Sequence, residues 1–246
     1  MLRSYDALEE AFREIAKKSK KECGSDLEKM RKLTCDLIPY FYKASDKTFP
    51  IKEKEKILKY CESLVATCFW ESFRTCGHIM FLSVNGLYRN AFDNIRHLLE
   101  SIVQALYIDL RHPTIPLNMK IEILKEIEDK REYHAIRLID ELEIEHKDKL
   151  KKEYKELSRI IHPSHKQIVA TLSDILEDKG APSAVDCKEI SKIFNSMIRS
   201  FDIFFFLFMT YFPEVKEELV KNSDFIKAVK TYKLTLLSKV LGIKLV

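Results

Sequence analysis

The stretch LSRIIHPSH, Leu157 to His165, sets an arginine, two histidines and a proline within seven residues, Arg159 to His165. Guanidinium and imidazole are the side chains that grip phosphate and move protons near neutral pH. Pro163 disfavours the α conformation at the residue before it, so one helix should end at His162. Pro163 itself suits the first turn of the next helix. His162 then sits at the junction and His165 in the new helix's opening turn. His165 shares a face with Ile168, Val169 and Leu172, three, four and seven residues on, and that face should point inward. Two readings of this imidazole stay open: an anchored structural group, or a general acid–base with a tuned pKa. Arg159, in the last turn of the preceding helix, can approach the same spot across the break. Zinc would need three or four ligands, and His162 and His165 supply two. Glu100 or Asp93 could complete the set, but no spacing demands it, and neither a metal nor a cofactor is expected.

A second constellation lies upstream. Arg89, Asp93, Arg96 and Glu100 stand at i, i+4, i+7 and i+11, so they form one stripe along a helix. An Arg96–Glu100 pair is worth only a few tenths of a kcal/mol when exposed. The stripe borders the apolar half of its helix, beside Phe92 and Val103. It reads either as a solvated face or as a half-buried brace or substrate-binding row. Lysine-rich runs such as KKSKK and KDKLKK read as solvated helix faces, with nucleic-acid contact as the lesser alternative. The chain has no GxGxxG, P-loop, HExxH or GxSxG motif.

Helices must position these groups. With 5 Gly and 7 Pro in 246 residues, little of the chain can be sharp turns, which disfavours an all-β fold. The first helix should stop at Gly24, and the capping box Ser25–Glu28 should open a second, toward Lys43. Pro50 suits a first helical turn. The apolar series Ile57, Cys61, Leu64, Cys68, Ile79 and Met80 predicts one long helix ending at Asn85-Gly86. From Gly86 to His112, Leu87, Ala91, Ile95, Leu98, Ile102 and Leu106 fill one half of the wheel. Another helix should run from Leu117 to about Glu143, then one to Ile161 and a short one from Pro163 to Gly180. Asp186 closes a cap for a greasy helix ending at Tyr211, and a last helical region, broken near Asn222, follows Pro213. A weak strand signal, GIKLV, occurs only at the end. The expected fold is a single all-α domain of about eight or nine helices. Its central bundle would span 51–212, with peripheral helices over 1–46 and 213–246.

The net charge of +4 is compatible with a nucleic-acid partner without requiring one. The six cysteines form no CxxC pair, and several sit at apolar helical positions. They read as reduced, buried thiols of a cytoplasmic protein. Trp70 and the phenylalanines of FDIFFFLFMTYF, Phe201 to Phe212, read as core. Twelve residues do not span a bilayer, which requires about 20, so no membrane is expected.

Gly86, Ala91, Arg96 and Glu100, followed by LSRIIHPS, resemble a pattern found in a group of all-helical prokaryotic proteins. Arg159-x5-His165 is similar to the Arg-x(4–6)-His signature of the HEPN superfamily. The resemblance covers Gly86 to His165. It departs at Ile160, where active members usually carry a polar residue. It implies a helical bundle, often a homodimer, and for many members a metal-independent ribonuclease in defence or toxin–antitoxin systems. On that basis Arg159 would hold the scissile phosphate of RNA, His165 would move the 2′-hydroxyl proton, and His162 would assist or position. A non-catalytic interaction or sensing module is the alternative expectation, and a metal-dependent hydrolase the third.

Overall fold

In a computed structural model, described over residues 5–129, 135–162 and 185–245, the chain is all-α, with eleven α-helices and no strand among the described residues. They are α1 (Tyr5–Thr48), α2 (Lys54–Cys61), α3 (Leu64–Val84), α4 (Tyr88–Arg111), α5 (Leu117–Asp129), α6 (Ala135–Glu141), α7 (Lys147–Ile161), α8 (Cys187–Tyr211), α9 (Lys216–Val220), α10 (Ser223–Thr231) and α11 (Thr235–Leu241). A 3₁₀ turn, Pro213–Val215, leads into α9.

The count exceeds eight or nine because three expected stretches hold more than one helix: 51–85 holds α2 and α3, 117–143 holds α5 and α6, and the region after Pro213 holds α9, α10 and α11. Ser63 is extended, and its hydroxyl accepts from the Ala66 N–H, capping α3 three residues after α2 ends. Pro50 lies ahead of α2, not in its first turn. The expected boundary at Gly24 falls beside a kink in α1. Two helical segments join across that kink within Tyr5–Thr48, at Cys23, with φ −117° and ψ 17°, one residue before the expected stop. Asn85-Gly86 breaks the chain as expected, with Gly86 at φ 74°. The short helix expected from Pro163 to Gly180 lies outside the described residues.

The core gathers around α4 and α8. Ala91, Ile95, Leu99, Ile102, Val103 and Leu106 of α4 are buried, as are Phe201, Phe204, Phe205, Phe208 and Phe212 in and just after α8. Phe41 of α1 stacks on Phe205 with ring centroids 4.0 Å apart. Leu27, Met30, Leu33 and Leu37 of α1 are buried in the same core. α8 is long and apolar enough to cross a membrane, but most of it is buried inside the protein. Burial against other helices accounts for its composition.

The cysteines depart from the expectation of six buried thiols. Cys23, at the kink of α1, is disulfide-bonded to Cys187, the first residue of α8. Cys35 and Cys61 are exposed, Cys68 is half-buried, and only Cys76 is a fully buried thiol. Trp70 is likewise not core: it is half exposed.

Candidate functional site

α7 carries the first half of the sequence-predicted cluster, and three contacts fix its orientation. Lys149 Nζ donates to Asp202 of α8 at 2.8 Å. Asp202 also accepts from the Leu236 and Leu237 N–H groups at the start of α11, at 2.9–3.0 Å. A buried carboxylate is held in this way by backbone donors and one cation. One turn on, Glu153 of α7 is buried and accepts from Arg199 Nε of α8 at 2.5 Å. Arg199 Nη2 lies 3.7 Å from Glu156 and donates to Ser196 at 3.1 Å. Burial pushes the Glu153 carboxyl above its ordinary value, and the Arg199 charge opposes that shift. Its other oxygen, Oε1, has no partner among the described residues.

The third contact is the predicted stripe. Arg96 Nη1 of α4 donates to Tyr154 Oη of α7 at 3.4 Å, and that hydroxyl donates to Glu100 at 3.3 Å. Arg96 lies 3.9 Å from Glu100 and 3.5 Å from Asp93, and its guanidinium carbon is 5.9 Å from the Tyr154 ring centroid. Burial and the Glu100 charge raise the Tyr154 pKa. Arg96 and Glu100 are thus half-buried bracing residues between α4 and α7. Arg89 and Asp93, nearer the start of α4, are exposed.

With its inner side so occupied by Leu150, Glu153, Tyr154, Leu157 and Ile161, α7 turns Lys152, Lys155, Arg159 and His162 outward, all exposed. They follow at i, i+3, i+7 and i+10, one row down the helix. No carboxylate among the described residues pairs with them. Asp148, exposed in the first turn, opens the row with a negative charge that suits a helix N-terminus. His162 ends α7 in an extended conformation, φ −85° and ψ 111°, as the following proline requires. Arg159 and His162 therefore stand together at the exposed end of α7. His165 lies outside the described residues.

A cleft of about 300 Å³ opens on the other side of α4, between α3 and α5, lined by Leu64, Cys68, Leu98, Ala105, Leu124 and Phe204, with His97 and Glu128 also on it. His97 Nε2 is 3.4 Å from Ser101 Oγ, and Cys68 Sγ donates to the Ser101 carbonyl at 3.5 Å. Burial, then the charges of Asp109 and Glu71, push the Cys68 thiol up to about 12, so it is a neutral thiol at neutral pH. Among the described residues, no group of three or more His, Cys, Asp or Glu could hold a metal.

Sequence reasoning missed the driest charges among the described residues. Lys120 and Asp109 are 1% and 0% exposed and 2.8 Å apart. Asp109 accepts from the Ser63 hydroxyl at 2.6 Å and the Val65 N–H at 2.9 Å, while Lys120 donates to the Glu62 carbonyl at 2.8 Å. The group clasps α4 and α5 to the α2–α3 turn. The signal was a charge set among apolar residues in each run, Asp109 in YIDL and Lys120 in NMKIEIL. No family model, curated protein or solved structure matches the chain.

Proposed function

We propose that the protein binds RNA along the outer face of α7, with Lys152, Lys155 and Arg159 on successive phosphates. The observation that carries this reading is the division of charge on that helix. Glu153 turns inward to Arg199, Glu156 at the edge of the row is drawn toward the same guanidinium, and Lys152, Lys155 and Arg159 pair with no carboxylate among the described residues. A row of exposed cations on a rigid helix is the electrostatic footprint of a polyanion site. The choice of RNA rests on the resemblance carried by Arg159 and His165. In that reading Arg159 neutralises the phosphate, and His165 takes the 2′-hydroxyl proton as the 2′-oxygen attacks phosphorus and the 5′-oxygen leaves. His162 positions the strand, and no metal takes part.

The test is fluorescence anisotropy with a labelled single-stranded RNA and a DNA of the same sequence, at several salt concentrations. Three phosphate contacts give a log–log salt slope of roughly −2. Reversal of all three charges, Lys152→Glu, Lys155→Glu and Arg159→Glu, abolishes binding without unfolding the helix, because all three side chains are exposed. Equal affinity of wild type and triple variant removes the proposal. Incubation of varied RNAs with the wild-type protein in chelator tests cleavage separately, and intact RNA at high protein concentration removes the enzymatic part.

A further inference from the structure

One face of α3 is left uncovered among the described residues, and it is aromatic. Trp70, Phe73, Gly77 and Phe81 follow at i, i+3, i+7 and i+11, a single stripe down the helix. Trp70, Phe73 and Phe81 are 50%, 60% and 65% exposed. Gly77 is exposed between them, and a Cβ built on it would meet no atom within 4 Å. The opposite face, with Phe69, Cys76, Ile79 and Ser83, is buried. Tyr42 of α1 sits edge-on to Trp70 at 4.8 Å and extends the patch. Partial exposure of four such rings amounts to roughly 400 Å² of apolar surface. Contiguous patches of that size on soluble proteins mark interaction sites.

We infer that a second copy of this chain covers this face, through an antiparallel α3–α3 contact whose two-fold axis passes beside Gly77. The stripe is symmetric about that glycine: Phe73 stands four residues before it and Phe81 four after, Trp70 seven before and Val84 seven after. A two-fold contact demands a patch complementary to itself. Here it brings Phe73 of one copy against Phe81 of the other, twice, and Trp70 against Val84. Gly77 lies at the crossing, where the missing side chain lets the two backbones approach.

The charges fit the same occupant. α3 carries only Glu71, Arg74 and His78 as ionisable residues other than cysteine in its 21 residues, and Glu71 and Arg74 are ion-paired with each other. A face that meets its own copy brings like charges together unless they are few and neutralised. In the antiparallel contact the two Arg74 side chains are offset by about 9 Å along the helices and the two Glu71 by about 18 Å. The area also fits. The exposed rings supply about half of the ~800 Å² that each partner contributes to a standard interface, and they form the apolar centre that such interfaces have. This inference uses α3 alone and is independent of the reading of α7.

Sedimentation equilibrium of the full chain, without RNA, from about 1 to 100 μM, tests it. The wild type is expected to be a dimer with a dissociation constant in the micromolar range. Phe73→Lys and Phe81→Glu should each weaken association at least ~30-fold, the loss typical of a central aromatic anchor. The same two substitutions in one chain should restore much of it, because the two-fold places each new lysine beside a new glutamate. Circular dichroism verifies that the variants fold, and both positions are exposed. A wild type that stays monomeric at 100 μM, single variants that associate as the wild type does, or a double variant no better than the singles each overturn the inference.

Discussion

Arg199 of α8 donates to Glu153 of α7 at 2.5 Å and lies 3.7 Å from Glu156, so one guanidinium faces two carboxylates of α7. That relationship ties the core to the candidate surface. It neutralises the buried Glu153 and draws Glu156 away from the outer cations, which pair with no carboxylate among the described residues.

Arg199→Ala should therefore destabilise the protein at neutral pH. Glu153 is buried and would be left as an uncompensated charge. Loss of a partner from a fully buried pair costs about 3–5 kcal/mol. Arg199 is itself 43% exposed, so about 2 kcal/mol is the better expectation, a Tm fall of roughly 4–8 °C. The pH dependence has a definite sign. The folded-state pKa of Glu153 is raised, so its contribution is most favourable when the group is protonated, below about pH 4, and is lost as pH rises through the folded value. The gap between wild type and Arg199→Ala should narrow from pH 7 to pH 4. Glu153→Gln should remove the pH dependence of that gap. Urea titrations of the four proteins, with the double variant, measure it.

The Lys120–Asp109 pair should behave as a unit. Lys120→Met strands Asp109 at 0% exposure and should cost about 3–5 kcal/mol. Asp109→Asn keeps acceptors for the Ser63 hydroxyl and Val65 N–H while removing the charge. The double variant Asp109→Asn/Lys120→Met should accordingly be more stable than Lys120→Met alone by at least ~1 kcal/mol. A double variant less stable than either single one would mean that the hydrogen bonds, and not charge balance, hold the clasp.

The Cys23–Cys187 bond closes a sequence separation of 164 residues. A cross-link over so long a loop stabilises chiefly by restricting the unfolded chain, typically by about 2–4 kcal/mol. Reduction should lower the Tm by several degrees, and Cys23→Ser/Cys187→Ser should lower it equally and abolish the effect of reductant. Peptide mapping of unreduced protein should recover the two cysteines as one linked species. Alkylation of six thiols in the native protein would show that the bond does not form.

Which features could be read from the sequence follows from how local they are. The Asn85-Gly86 break was legible because a positive φ at glycine is a one-residue property. The break at Ser63 was not, because Ile57, Cys61, Leu64 and Cys68 keep helical spacing across it. Only the Asp109 clasp, 46 residues away from Ser63, selects the turn. α3 is apolar nearly all round, so periodicity could not say that Phe69 faces inward and Trp70 outward. The Arg96–Glu100 stripe was found, but its role depended on Tyr154, 54 and 58 residues away. Arg159 and His162 were found because proline fixes the end of α7 from within the chain.

The cation row on α7 makes a graded prediction. Lys155 lies between Lys152 and Arg159, so Lys155→Glu puts a negative charge between two phosphate contacts and should weaken RNA binding more than Lys152→Glu. Each loss should reduce the salt slope by roughly 0.7. Lys149, equally basic in sequence but bonded to Asp202, serves as the internal control. Lys149→Met should lower stability and leave the salt slope unchanged. Tyr154→Phe removes the hydroxyl that links Arg96 and Glu100 and should cost about 1 kcal/mol of stability with no change in RNA affinity. Anisotropy titrations at four salt concentrations, beside thermal melts of the same preparations, separate the two effects. A salt slope that falls with Lys149→Met and not with Lys155→Glu would place the polyanion elsewhere than the outer face of α7.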